Sequence, residues 1–192
     1  GRRVVDARVP REGAERVLRW ALKEGLTSPL FAPAMKLGQM LRPLVPASLR
    51  DKVPARPDAH ARRWPTRPHA RKVALLLGCV QPAMMPGINS ATARVLDAAG
   101  IQTLVADGAG CCGAIRAHLG DHEGGLADMR RNIDAWWPLV QGLTSAGSVE
   151  AIVMNASGCG ATVKEYAHHL AHDRNGARRH AEEHRLRDPR RR

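Results

Sequence analysis

Aromatic side chains are scarce in this sequence of 192 residues, which contains one phenylalanine, one tyrosine and four tryptophans. Proteins that bind single-stranded nucleic acids rely on aromatic platforms on which the bases stack, and such platforms are missing here. The net charge of +12 is also unevenly placed, because residues 73–173 carry five basic and nine acidic side chains, a net charge of −4. The positive charge therefore lies in the flanks, and we expect a solvated linker and tail with no nucleic-acid partner.

Long apolar runs are also absent. No stretch approaches the roughly 20 apolar residues that a membrane-spanning helix requires, and the first residues do not follow the pattern of a signal peptide. These absences predict a cytoplasmic protein, either free or peripheral at the inner face of the cell membrane. In a reducing compartment, cysteines serve metal binding or redox chemistry more often than structural disulfides.

Several motifs that would indicate an independent enzyme are missing. The sequence has no Ser/His/Asp order, no paired carboxylates and no phosphate-binding loop. It also lacks the C-x2-4-C knuckles of zinc fingers and the C-x-x-C of thiol–disulfide enzymes. We therefore expect no turnover from this chain alone.

What the sequence does contain is one arrangement that uses all four of its cysteines. Cys79 is followed after thirty-one residues by the adjacent pair Cys111 and Cys112, and after forty-six more by Cys159. Each lies in a short glycine-rich segment, and glycine permits the tight turns and close backbone approach that a ligand requires. This pattern indicates a metal or redox site.

The chain divides by composition into four predicted parts. They are a helical connecting segment over 1–49, a linker rich in proline and arginine over 50–72, a cysteine-rich domain over 73–173 and a disordered basic tail over 174–192. Within the first part, periodicity predicts a helix over 12–26 and a short amphipathic helix between prolines in 30–45. The apolar face of the second helix has two interpretations, docking on a partner or missing domain and packing on this chain's own core.

The cysteine-rich part alternates between strand and helix patterns. Strands are predicted at 73–77, 101–106 and 151–154, and helices at 88–99, from 121 or 122 to an end between 142 and 147, and at 161–172. Such alternation predicts an α/β fold with a small doubly wound parallel sheet of three or more strands. Ligands of such sheets collect outside the carboxyl ends of the strands, and the cysteines follow or lie near those ends. We therefore expect the four thiols to converge in one crevice.

Four thiolates can hold either zinc or an iron–sulfur cluster. Adjacent cysteines suit a simple tetrahedral site poorly because their side chains tend to diverge, whereas a larger cluster can accept both. The alternative is that the four cysteines bind nothing and serve only as small hydrophobic side chains in the core. His118 and His122 follow the paired cysteines. Each has two interpretations, a ligand of the metal site and a capping or surface residue. His168 and His172 are spaced for zinc on the closing helix, where a solvated helix face is favoured.

The motifs resemble those of a known family. The chain is similar to the first cysteine-rich CCG domain of the glycolate oxidase iron–sulfur subunit, which is related to subunits of heterodisulfide reductases and lactate-utilisation proteins. The likeness runs from about residue 73 to 173, and residues 14–54 resemble the segment that joins the ferredoxin and CCG parts. The matching motifs are Leu76-Leu77-Gly78-Cys79-Val80-Gln81, Ala109-Gly110-Cys111-Cys112-Gly113-Ala114, Asn132-Ile133, and Asn155-Ala156-Ser157-Gly158-Cys159-Gly160 with Lys164-Glu165-Tyr166.

The resemblance implies a non-catalytic electron-transfer subunit of an oxidoreductase complex. A partner subunit containing a flavin (FAD) would oxidise glycolate or another 2-hydroxy acid, and this chain would pass the electrons toward a quinone-type acceptor. Cys79, Cys111, Cys112 and Cys159 would be the ligands of an iron–sulfur cluster of the 4Fe–4S type. Asn155 and Ser157, beside the last of these, would donate hydrogen bonds to its sulfur and tune its potential.

The chain departs from the family pattern in three respects. It lacks the ferredoxin-type C-x2-C-x2-C-x3-C-P motifs and a second CCG domain, so we expect a fragment of a longer protein. Ala156 and Thr162 stand at the positions flanking Cys159 where the fullest pattern has a further cysteine. Two alternatives stay open, a scaffold without a cluster (or with zinc) that docks the flavin subunit, and a thiol-redox protein that uses the Cys111–Cys112 pair.

Overall fold

The structure is a computed structural model, and it describes residues 8, 13–44, 46–50, 53–56 and 59–171. The predicted disordered tail over 174–192 lies outside these residues. Among the described residues, no helix is long and apolar enough to cross a membrane.

A three-stranded parallel sheet lies at the centre of the cysteine-rich part. Strand β1 (Arg71–Leu75) is central, with β2 (Ile101–Leu104) on one side and β3 (Ala151–Val153) on the other. Both outer strands run parallel to β1, with Val73 opposite Thr103 of β2 and Ala151 of β3. The predicted α/β fold with a small parallel sheet is confirmed.

The central strand is covered on both of its faces. Ala74 and Leu75 point to opposite faces of the sheet, and their exposed fractions are 0% and 1%. The run of apolar residues predicted as a strand over 73–77 is therefore buried as expected, although β1 begins two residues earlier and ends at Leu75. Leu76 continues the pairing, because its N–H donates to the carbonyl oxygen of Val153 at 2.9 Å.

Helices connect the strands on opposite faces of the sheet. Between β1 and β2 lie α4 (Gln81–Met84) and α5 (Pro86–Ala98), and between β2 and β3 lie α6 (Ala114–His118) and α7 (His122–Gln141). Because β2 and β3 flank β1 on opposite sides, right-handed crossovers place these two connections on opposite faces. The carboxyl ends of β1 and β2 therefore open toward a crevice between the two helical layers.

The long helix α7 builds the main core of the domain. Its buried residues Met129, Ile133, Trp136 and Val140 follow helical spacing on one face and pack in one cluster with Ala74 and Leu76 of the β1 segment. The Asp121 carboxylate caps its first turn by accepting from the N–H of Gly124 at 2.9 Å.

The helices before the sheet are α1 (Gly13–Thr27), α2 (Phe31–Met40) and α3 (Ala47–Arg50), with a 3-10 turn at Arg42–Leu44 between the last two. Polar contacts hold them on the domain. Arg19 donates to the carbonyl oxygen of His118 at 3.0 Å, Lys23 pairs with Asp121 at 3.5 Å, and the Gln39 amide donates to the carbonyl oxygen of Ala83 at 3.3 Å.

The apolar residues of α2 and of the 3-10 turn after it are divided between the domain and solvent. Phe31 and Met35 are half-buried, and a β-carbon at Gly38 would lie 3.8 Å from the Val53 side chain. Four other apolar residues, which we call the apolar face of α2, are exposed by 53%, 65%, 42% and 82%: Leu37, Met40, Leu41 and Leu44. Packing on this chain therefore holds for one part of the segment, and the other part is exposed among the described residues.

The first described residues of the linker lie by α2 and the 3-10 turn, where Arg42 donates to the carbonyl oxygen of Val53 at 3.0 Å, and the later ones lie against α5. Ser90 donates to the carbonyl oxygen of Arg62 at 3.2 Å, and Arg94 donates to the carbonyl oxygen of Arg63 at 3.0 Å. His69 Nε2 lies 2.7 Å from Asp97 Oδ1. The linker is thus held along the outer side of the domain through its backbone carbonyls, although proline and arginine composition alone predicted an extended segment.

Candidate metal centre

Cys79 lies in the turn between β1 and α4. The chain reverses at Gly78, whose φ of +80° is a conformation that favours glycine. The side chain of Cys79 is half-buried at the carboxyl end of the central strand. The predicted glycine-rich turn is confirmed at this position.

Cys111 and Cys112 lie in the segment between β2 and α6, and both are buried. Gly113 follows them with a φ of +87°, and a β-carbon at this position would lie 2.5 Å from the carbonyl oxygen of Gly125 in α7. The N–H of Gly113 donates to Cys111 Sγ at 3.4 Å. Only glycine lets the turn pack this closely against α7 while it presents the cysteines.

Cys159 lies in the first turn of a helix, which differs from the prediction of a glycine-rich turn followed by one helix over 161–172. The segment forms α8 (Ser157–Lys164) and α9 (Tyr166–His169), so the helix begins four residues earlier than predicted and is interrupted at Glu165. Small residues at 157 and 158 start α8 immediately after the β3 segment. This early start places the half-buried Cys159 thiol beside those of the other cysteines.

The four thiols lie close together. Cys79 contacts Cys111, Cys111 contacts Cys112, and Cys112 contacts Cys159, which also interacts electrostatically with Cys79 and Cys111. Residues separated by eighty positions in the sequence therefore meet at one edge of the sheet. The predicted convergence of the four cysteines is what the structure shows.

The pKa values of these thiols follow from their contacts. Contact with Cys112, with burial adding to it, raises the pKa of Cys111 to about 11. For Cys112, contact with Cys111 lowers the pKa of the thiol. Contact with Cys159 and burial outweigh this effect and raise the pKa of Cys112 to about 11. Contact with Cys111 and burial raise the pKa of Cys79, whereas contact with Cys112 lowers that of Cys159. Thiolate ligands must lose these protons before they can bind a metal.

The donor set is compatible in number and kind with an iron–sulfur cluster. Among the described residues, no group of three or more histidine, cysteine or acidic side chains is placed to hold one metal ion. Four converging thiols are nevertheless the number and kind of ligand that an iron–sulfur cluster takes, and a cluster spreads its ligands over several iron atoms.

A buried hydrogen-bonded pair holds the Cys111–Cys112 backbone. The Asn132 carboxamide accepts from the N–H of Gly110 at 2.8 Å and donates to the carbonyl oxygen of Cys111 at 2.7 Å. It also donates to the Tyr166 hydroxyl at 3.0 Å, and that hydroxyl donates to the carbonyl oxygen of Cys112 at 2.9 Å. Burial raises the pKa of Tyr166, so the hydroxyl keeps its proton. Together the two side chains fix the backbone on both sides of the cysteine pair.

A second hydrogen-bond network joins the other two cysteine segments. Gln81 donates to both Asn89 and Asn155, at 2.8 and 2.7 Å. Asn155 donates to Asn89 at 2.8 Å and to Thr92 at 3.0 Å. Both amide hydrogens of Asn155 are thus used within this network, and the predicted donation from its side chain to a sulfur is wrong. Asn155 instead ties the segment after β3 to α5.

The histidines take peripheral positions. His118 is exposed in the last turn of α6, and His168 is exposed on α9 with its ring against that of His169. His122 opens α7, where its Nε2 is buried without a hydrogen-bond partner among the described residues. His172 lies outside those residues, so the structure does not test the predicted pairing of His168 with His172.

Charged residues near the cysteine pair were not singled out from the sequence. Asp128 is buried and bound by Arg116 and Arg131, with N–O distances of 3.4 and 2.8 Å. In the sequence, Asp128 and Arg131 look like an ordinary i, i+3 pair on a solvated helix face. The adjacent Asn132, which belongs to the matched motifs, was the one available sign that this part of α7 faces the site.

Comparison with known proteins agrees with this arrangement. Residues 73–164 match the CCG family, described as a cysteine-rich domain. The chain contains a CCG cysteine-rich domain. All four cysteines lie within residues 73–164, so the group of thiols and the family match concern the same part of the chain.

Two relatives extend the likeness beyond the CCG domain. The glycolate oxidase iron–sulfur subunit of Escherichia coli (strain K12) is 47% identical over 174 residues, which cover 90% of this chain and 41% of that protein. The probable glycolate oxidase iron–sulfur subunit of Bacillus subtilis (strain 168) is 34% identical over 106 residues, which cover 55% of this chain and 22% of that protein. The family resemblance expected from the motifs is confirmed. This chain spans about two-fifths of the length of the first relative, and no solved structure matches it.

Proposed function

We propose that this chain is an electron-transfer part of a 2-hydroxy-acid dehydrogenase complex of the glycolate oxidase type. The observation that carries this proposal is that four thiols meet within a CCG domain, those of Cys79, Cys111, Cys112 and Cys159. The names of the two relatives support an iron–sulfur subunit. The chain itself would transfer electrons without binding or transforming the organic substrate.

In this account, the four cysteines hold a cluster of the 4Fe–4S type, which supplies reversible one-electron chemistry when bound. The protein's own contribution is to position the ligands and to restrict water. Asn132 and Tyr166 hold the carbonyl groups of the buried cysteine pair, while Gln81, Asn89 and Asn155 hold the segments that carry Cys79 and Cys159. A rigid shell of this kind limits the structural change that accompanies each electron.

The partners and the location belong to the same proposal. Electrons would come from a subunit containing a flavin (FAD) and leave toward a quinone-type acceptor. A quinone acceptor would place the complex in the cytoplasm at the inner face of the cell membrane. The exposed apolar face of α2 is compatible with burial against another part of such a complex.

The test is an analysis of iron and acid-labile sulfide in protein purified without oxygen, together with its absorption spectrum. We expect both elements near cluster stoichiometry and a visible absorption that bleaches with dithionite. Bound zinc without sulfide would instead support a scaffold domain. A reversible disulfide in a metal-free protein would support thiol-redox chemistry at the Cys111–Cys112 pair.

A further inference from the structure

Arg131 lies directly beside the turn that carries the cysteine pair. A β-carbon built on Gly110 would lie 3.1 Å from Arg131 Nη2 and 3.6 Å from its Cζ, so the guanidinium packs on the glycine backbone. Its Nη1 pairs with Asp128 Oδ1 at 2.8 Å, which fixes its direction. The absence of a side chain at Gly110 is what lets a cation approach the Cys111 backbone this closely.

The local charges have a defined arrangement. The Asp128 side chain is 7% exposed, and it lies close enough to Cys111 to disfavour a negative charge there. Arg131 pairs with one oxygen of this carboxylate, and Arg116 approaches the other oxygen at 3.4 Å while it also pairs with Asp121 at 3.0 Å. Of the two cations, Arg131 is the one that lies against the turn of the cysteine pair, at Gly110.

We propose that Arg131 raises the reduction potential of the centre held by the four cysteines. The inference rests on the proposed function. Each electron that arrives from the flavin partner adds one negative charge at the thiolate site and requires no proton. A guanidinium fixed beside that site stabilises the reduced form, since the potentials of iron–sulfur sites depend on nearby charge and hydrogen bonds. Without the guanidinium, the Asp128 carboxylate also loses its partner, and its uncompensated negative charge would lower the reduction potential further.

The experiment is an equilibrium redox titration of the anaerobically purified protein, followed by absorption or electron paramagnetic resonance. Arg131→Gln is expected to shift the midpoint potential to a more negative value, and Arg131→Lys to restore most of the wild-type potential. Arg71→Gln is the matched control. It removes the same charge from an exposed pair with Glu150 at the amino end of β1, opposite the cysteines, and is expected to leave the potential unchanged.

Two outcomes would overturn the inference in different ways. If wild type and Arg131→Gln hold equal iron and have equal potentials, the role of Arg131 is wrong while the proposed function stands. If the wild type holds no iron and sulfide, both fail. Should Arg131→Gln lose its iron, the same titration is made with Arg131→Met, which keeps an unbranched apolar side chain at this position and removes the charge. This variant should also lower the potential, and an unchanged potential would contradict the proposal.

Discussion

The Asn132 carboxamide and the Tyr166 hydroxyl are hydrogen-bonded at 3.0 Å in the buried core, and each donates to the carbonyl oxygen of one of two adjacent cysteines. Asn132 comes from the middle of α7, and Tyr166 opens α9. Elements on both sides of β3 in the sequence are thereby joined to the same turn. The pair explains how two neighbouring buried cysteines keep a defined geometry without regular secondary structure.

Replacing Asn132 by alanine is expected to destabilise the protein strongly. The change leaves the Gly110 N–H and the Cys111 carbonyl buried without partners, which we expect to cost about 2 to 4 kcal/mol in the free energy of unfolding. Tyr166→Phe removes one hydroxyl from the same pair and should cost about 1 kcal/mol. Urea unfolding of both variants measures the difference. Equal and small losses would show that the pair does not hold the turn.

Gly113→Ala is expected to be more harmful than an equivalent change at a roomier glycine. The added β-carbon would meet the Gly125 carbonyl oxygen at 2.5 Å and would also face a φ of +87°. Strain and overpacking together should lower the free energy of unfolding by about 3 kcal/mol. Gly100→Ala is the control, because its φ of +72° is similar but nothing lies within 4 Å.

The control should lose only about 1 kcal/mol, which isolates the backbone strain from the clash. Thermal or urea unfolding of the two alanine variants provides the comparison. A Gly113→Ala protein as stable as Gly100→Ala would mean that the turn and α7 are not packed as closely as described.

The capping residue Asp121 should make stability depend on pH. Burial by itself raises the pKa of its carboxyl, but the Gly124 N–H, Arg116 and Lys23 outweigh burial and lower it. Because the folded-state pKa lies below the unfolded value of about 3.9, this stabilisation is complete above that value and is lost as the pH falls through the folded-state pKa.

Asp121→Ala should therefore cost about 1 kcal/mol at pH 7, and the difference from wild type should shrink below about pH 4. Asp134→Ala, at an exposed position of the same helix, serves as the control and should change stability by less than about 0.5 kcal/mol. A difference between wild type and Asp121→Ala that stays constant down to pH 2 would contradict the proposed cap.

The apolar face of α2 should contribute little to the stability of the isolated chain. Leu44 is 82% exposed, whereas Leu170 is fully buried in the core. Leu44→Ala should change the free energy of unfolding by less than about 0.5 kcal/mol, and Leu170→Ala should lower it by about 2 to 5 kcal/mol. Comparable losses in the two variants, measured by urea unfolding, would show that the chain covers this face itself.

The sheet and the meeting of the cysteines could be predicted from the sequence for a clear reason. The apolar run before Cys79 and the alternation of strand and helix determine a parallel sheet, and the carboxyl ends of parallel strands lie at one edge. Thiols that follow different strands therefore had to approach one another. In the sequence, Gly78 and Gly113 indicated turns beside the cysteines, and in the structure both glycines adopt positive φ.

Other features depend on tertiary contacts that leave no periodic signal. Gln39 of α2 bonds to the domain, whereas Leu37 and Met40 of the same helix face solvent, a division that the amphipathic pattern alone does not predict. The start of α8 at Ser157, four residues before the predicted one, has no periodic apolar signal in the sequence. In the sequence, Arg131 has the pattern of a solvent-exposed helix residue, and only the structure places its guanidinium beside Gly110.

The most direct test of the central claim is the iron and sulfide content of four single variants, Cys79→Ser, Cys111→Ser, Cys112→Ser and Cys159→Ser, purified without oxygen beside wild type and a control, Ser145→Ala, at an exposed position. The account predicts stoichiometric iron and sulfide in wild type and control, and a large loss of both in every cysteine variant. Wild-type protein that contains neither element would contradict it, as would cysteine variants that retain both.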